Sequence, residues 1–126
     1  MTSKRILIVE DELIVARDLQ NILRRLGHRM IGQVANGPDA IRMAAESRPD
    51  LILMDLVLDG SMDGLETALE IARHRQVPII YITANSNTIV CRPSKMVFPF
   101  LCVAKPFSAT IVESAIESVF SRPRPS

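Results

Sequence analysis

Little in this chain points toward redox chemistry, membranes or nucleic acid. Its two cysteines, Cys91 and Cys102, are too few for a disulfide framework and have no metal-ligand spacing. A reducing cytoplasm is therefore the expected setting, and a Cys91–Cys102 bridge is not expected. No apolar run approaches a membrane span. The opening MTSKRILIVEDE offers four apolar residues before three acids, too short a run for a signal peptide. A formal charge of +1 removes bulk electrostatics as a reason to expect nucleic-acid binding. Neither a GxGxxG nor a P-loop lysine motif is present, so nucleotide binding has no support. What remains is 126 residues, 48% hydrophobic and 23% charged, enough for one domain with a sizeable core.

Four apolar runs stand out: ILIV (6–9), LILM (51–54), VPIIYI (77–82) and FLCVA (100–104). Each is continuous rather than alternating, as parallel strands covered on both faces require. A weaker run, MIGQVA (30–35), suits a strand nearer an edge. Helical patterns fill the gaps. Val15, Leu19, Ile22, Leu23 and Leu26 share a face, with Gly27 placed to cap the end. Pro38 suits a first helical turn, and Ile41, Ala44 and Ala45 form a stripe that stops at Pro49. Asp63 and Glu66 make a capping box before Leu65, Ala68, Leu69 and Ala72. Ser108 opens a last helix with Ile111, Val112, Ala115, Ile116 and Val119 inward. The segment 85–96, where a fourth helix belongs, is interrupted by Pro93 and predicts a short or irregular one. Strands alternating with helices define a doubly wound α/β domain.

In such a sheet, ligands bind at the carboxyl ends of the strands. Those ends carry Glu10-Asp11-Glu12, Asp55, Thr83 and Lys105. Clustered carboxylates repel unless a cation or a proton intervenes, and oxygen-only ligands favour a hard divalent ion such as Mg²⁺. Lys105 is a compact charge suited to a phosphoryl oxygen. A carboxylate nucleophile, a metal, a hydroxyl and a lysine together describe an aspartyl-phosphate site.

The segments ILIVEDE, LILMDLVLDGSMDGLE, PIIYITA and AKPF, in that order and spacing, resemble the receiver domain of bacterial response regulators over residues 4 to 120. The resemblance implies a flavodoxin-like fold, a five-stranded parallel sheet of order 2-1-3-4-5 with about five helices. It implies that Asp55 is the phosphoacceptor. Glu10, Asp11, Asp55 and the Val57 backbone carbonyl would hold Mg²⁺, Asp11 directly and Glu10 through water. Thr83 would be the switch hydroxyl and Lys105 the phosphoryl partner, with a cis Lys105–Pro106 bond. Such a protein signals rather than turning over a substrate, although it catalyses its own phosphorylation and dephosphorylation. The donor would be a histidine kinase or phosphotransfer protein. A downstream partner would bind the fourth helix, fifth strand and fifth helix, in a monomer or weak dimer without membrane or nucleic-acid contact by this domain. The receiver unit would span residues 1–120, with 121–126 a disordered polar tail.

Other readings compete at single positions. Glu12 is expected to cap the following helix. Asp55 and Asp59 are four residues apart, where a haloacid-dehalogenase-type phosphatase places its pair two apart. His28 and His74, beside arginines at helix ends, are expected in solvent. Cys102 occupies the place, three residues before the lysine, where the family carries Tyr or Phe; it reads as a small apolar filler. That departure motivates the alternative of a phosphorylation-independent binding module using the 97–104 surface.

Overall fold

The computed structural model describes residues 2–58, 60–84 and 100–121. Each continuous apolar run becomes a strand: β1 (Arg5–Val9), β3 (Leu51–Asp55), β4 (Ile79–Thr83) and β5 (Phe100–Ala104), joined by the weaker run as β2 (Arg29–Val34). All neighbours pair in parallel, in the order β2-β1-β3-β4-β5. Successive side chains of a strand point to opposite faces, and both faces are covered. On one side Ile6, Ile8, Leu51, Leu53, Ile80 and Ile82 pack with Leu19 and Leu23 of α1 (Leu13–Arg25) and Val112 and Ile116 of α4 (Ala109–Ser121). On the other, Leu7, Val9, Ile52, Met54, Ile79 and Tyr81 pack with Ala40 and Ala44 of α2 (Gly37–Ser47) and Ala68 and Ile71 of α3 (Gly64–Ala72). This two-sided burial is why the strands are continuously apolar. The edge strand β2 is only half-buried, which matches its weaker run.

Local chemistry sets the helix ends. Asn36 caps α2 by accepting from the Asp39 N–H at 2.9 Å, with Pro38 in the first turn. The Asp63–Glu66 capping box at α3 is complete, with reciprocal bonds of 2.8 and 3.1 Å. Ser108 Oγ accepts from the Ile111 N–H at the start of α4. Gly27, at φ 86°, ends α1 in the left-handed region that favours glycine. Four helices lie among the described residues, against about five expected. The predicted irregular helix over 85–96 falls outside them, as does most of the polar tail; Ser121 is still helical. The helix faces also depart from expectation. Leu69 and Ile111, expected inward, are exposed, while Thr67 and Ile71 are buried, because apolar content fixes the helical stripe only to within a residue or two.

Tyr81, the chain's one tyrosine, is fully buried in β4, in register with Cys102 of β5. Its hydroxyl has no hydrogen-bond partner among the described residues. Burial, then the charge of Asp63, holds the phenol well above its ordinary pKa. An unpaired buried hydroxyl costs about 1–3 kcal/mol. Tyr81→Phe should therefore leave urea-unfolding stability unchanged or raise it by up to about 1 kcal/mol; a loss of that size would show the hydroxyl to be bonded.

Candidate functional site

The sheet order reverses direction between β1 and β3, so a crevice opens beyond their carboxyl ends. Five of the singled-out side chains meet there: Glu10, Asp11, Glu12, Asp55 and Lys105. Glu10, just past β1, is 1% exposed; its Oε2 accepts from the Glu12 N–H at 3.0 Å, and Gln33 Nε2 donates to its carbonyl at 2.8 Å. Asp55, the last residue of β3, is 4% exposed, and its Oδ1 accepts from the Val57 N–H at 3.0 Å. Lys105 follows β5, its N–H donating to the Thr83 carbonyl at 2.8 Å and its peptide bond to Pro106 cis. The Lys105 ammonium lies 3.0 Å from Glu10 Oε1 and 3.2 Å from Asp55 Oδ2.

The charges do not balance. Carboxylate oxygens of Glu10, Asp11, Glu12 and Asp55 all lie within 4.8 Å of one another, and Lys105 is the one ammonium among the described residues that pairs with them. Burial pushes Glu10 up to about 7, and Asp55 adds to the rise against the opposing Glu12 N–H and Lys105. Burial alone would lower the Lys105 pKa, but the close Glu10 carboxylate, then the charge and bond of Asp55, outweigh it and raise it. Glu10 Oε1 is buried and, although close to the ammonium, has no aligned hydrogen-bond donor. An all-oxygen cluster with an orphaned, buried acceptor fits a hard cation such as Mg²⁺.

Thr83 ends β4, buried, one position beyond Ile82, the residue paired with Asp55. Asp11 is half-buried within the acidic cluster. Val57 follows on the loop with its residue 74% exposed. Glu12 corrects its expectation: it stands at the N-cap position of α1 but makes no capping bond, reaching instead to Lys105 at 3.2 Å. A longer side chain caps less readily than Asp or Ser and here finds a partner in Lys105. His28 is buried rather than solvated, its Nδ1 accepting from the Lys4 N–H at 3.0 Å, and burial lowers its pKa. His74 is exposed as expected. Cys102 is disulfide-bonded, not a free thiol, although it packs beside the core as a filler would. Asp59, Cys91 and residues 97–99 of the 97–104 surface lie outside the described residues.

One residue escaped the sequence reading. A Cβ on Gly64 would overlap the Asp55 carbonyl oxygen and press on Leu56 Cα, and the Gly64 N–H donates to the Leu56 carbonyl at 2.9 Å. The start of α3 thus rests on the backbone of Asp55 itself. The signal was the glycine directly after a capping aspartate, but the close approach depends on tertiary placement. Gly64→Ala should force these backbones apart and cost about 1–3 kcal/mol in urea unfolding; wild-type stability would show that the loop yields freely.

The Glu10 shift also fixes a sign. Its folded value of about 7 exceeds the ordinary 4.5 of a free carboxyl. Its contribution to stability is therefore fully present below about 4.5 and is lost as pH rises through about 7. His28 acts oppositely, its lowered value removing stability as pH falls below its ordinary 6.5. Urea unfolding in chelator at several pH values should show Glu10→Gln gaining on wild type as pH rises across that window. A constant difference would contradict the shift.

The comparisons agree with this geometry. The response regulator receiver domain model matches residues 6–117. Transcriptional regulatory protein PdtaR of Mycobacterium tuberculosis is 35% identical over 119 residues, 94% of this chain and 58% of that protein. Phyllosphere-induced regulator PhyR of Methylorubrum extorquens is 37% identical over 114 residues, 88% of this chain and 41% of that protein. The chain spans about half the length of the curated relatives it matches. Among solved structures, the signal receiver domain of a modulated diguanylate cyclase from Desulfovibrio desulfuricans aligns with a TM-score of 0.84 at 37% identity, covering 94% of each chain. The receiver domain of sensor histidine kinase PA1611 from Pseudomonas aeruginosa, with a magnesium ion coordinated in its active-site cleft, aligns at 0.82 and 32% identity. It covers 96% of this chain and all of that one. By its sheet order, its acidic crevice and a family match over most of its length, this chain belongs to the response regulator receiver domains.

Proposed function

We propose that this receiver accepts a phosphoryl group on Asp55 from the phosphohistidine of a histidine kinase or phosphotransfer protein. The observation that carries this reading is the buried Asp55 carboxylate held between the Val57 N–H and the Lys105 ammonium, within a cluster of four acidic side chains. A carboxylate oxygen of Asp55 attacks phosphorus, the P–N bond of the donor breaks, and the departing imidazole nitrogen keeps the electron pair. Lys105 neutralises charge on the transferring oxygens, a role its raised pKa secures at neutral pH. Mg²⁺, held by Glu10, Asp11, Asp55 and the Val57 carbonyl, would supply the remaining charge neutralisation and orient the phosphoryl group. Thr83, at the neighbouring strand end, would then turn its hydroxyl to the phosphoryl oxygens and shift the output face.

The rim of the crevice suits a protein donor. Leu13, Ile14 and Val57 are 69%, 87% and 74% exposed. A groove of about 780 Å³ runs between the start of α1 and the Pro106–Phe107 turn and reaches Lys105. Exposed apolar side chains beside a charged pocket fit a helix that presents one reactive histidine. Output would pass to a downstream protein through β5, α4 and the segment before β5. The receiver unit would occupy residues 1–120, in the cytoplasm; no described helix is long and apolar enough to cross a membrane. The alternative module, signalling through 97–104 without phosphate, draws on Cys102, whose side chain leaves no ring at that position.

Incubation with Mg²⁺ and acetyl phosphate, read by intact mass, separates the two. Wild type should gain one phosphoryl adduct, and Asp55→Asn none. An unmodified wild type, or an equal adduct on Asp55→Asn, would contradict the proposal.

A further inference from the structure

We propose that Glu12 is a displaceable counter-ion that holds Lys105 in the resting state and must release it when a phosphoryl group arrives, a role that rests on Asp55 being the phosphoacceptor. Lys105 Nζ donates to Asp55 and to Glu12 at 3.2 Å each and stands 3.0 Å from Glu10 Oε1 without an aligned bond. Three carboxylates thus crowd the ammonium, and an incoming anion must compete with them for it. One contact has to open, and the three are not equivalent. The Glu10 and Asp55 side chains are 1% and 6% exposed, and each is tied to a backbone N–H, from Glu12 and Val57 respectively. Stripping the lysine from either would leave a buried carboxylate uncompensated. The Glu12 side chain is 65% exposed, so water resolvates it as it leaves.

The backbone around Glu12 supports the same reading. Glu12 stands in the N-cap position of α1 with extended backbone angles, φ −86° and ψ 110°, yet its side chain makes no capping bond. Its carboxylate goes to Lys105, 93 residues away in sequence, instead of to the helix end beside it. Glu12 belongs to the acidic cluster, but it is its exposed member and its carboxylate is bonded to Lys105. It acts through Lys105, as a positioning residue: it keeps the ammonium over the crevice while empty and competes with the phosphoryl oxygens for it.

The competition should be modest, because an exposed ion pair is weak. Its removal should tighten binding of beryllofluoride, a phosphoryl-group mimic, by roughly two- to fivefold in the presence of Mg²⁺, read by ¹⁹F NMR titration. Glu12→Asp discriminates a direct pair from general repulsion, since it keeps the charge but is one methylene too short to reach. Support requires that Glu12→Gln and Glu12→Asp both tighten binding, with Mg²⁺ affinity within about twofold of wild type. Tightening by Glu12→Gln alone would reduce the effect to bulk charge and overturn the role. Unchanged or weaker binding in both variants, beside a wild type that binds the mimic, would overturn Glu12's role while leaving the phosphoacceptor reading standing. A tenfold loss of Mg²⁺ affinity in Glu12→Gln would make Glu12 a metal ligand and also overturn it. A wild type that binds no mimic and takes no phosphoryl group on Asp55 would bring down both.

Discussion

The site depends on one ammonium shared among buried carboxylates. Glu10 and Asp55 sit at the ends of adjacent strands because the sheet order reverses between β1 and β3, and the parallel register brings their side chains together. Two carboxylates so placed would repel in a low-dielectric interior, and Lys105 is what lets them coexist. Removing one member of a buried charge cluster commonly costs about 3–5 kcal/mol, since the remaining charges are left stranded. Lys105 offsets only part of the cost: burial, with Asp55 adding to it, pushes Glu10 up to about 7. Such a cluster fits a hard cation such as Mg²⁺.

Rigid parts surround this cluster, and looser parts lie at its edge. Behind it stand fully buried strand residues on both faces of the sheet, with Gly64 pressed against the backbone of Asp55. In front are the exposed side chains of Leu13, Ile14 and Val57, together with the solvated carboxylate of Glu12. Rigid support of this kind is what group transfer at Asp55 would require. In the proposed function, the exposed rim would receive the protein donor.

Much of this was legible in the sequence because the deciding signals are local. Continuous apolar runs gave four strands, the DGLE segment gave a complete capping box, and residues at strand ends gave Glu10, Asp55 and Lys105. The misreadings share a different origin. Glu12 finds Lys105 across the chain, His28 is covered by the backbone of Lys4, and Gly64 matters only because α3 lands on β3. Each depends on tertiary proximity, which carries no local pattern. Cys102 is similar: its spacing gave no reason to expect a bond, since disulfides depend on how side chains meet in space.

The central claim is that the buried carboxylates form a cation site whose charge is held in check by a proton on Glu10. Calorimetric titration of the protein with Mg²⁺ at pH 6 and pH 8 tests this directly. One ion should bind, roughly tenfold more tightly at the higher pH, because binding must displace a proton held to about 7. Absence of binding, or an affinity that does not change with pH, would contradict the account.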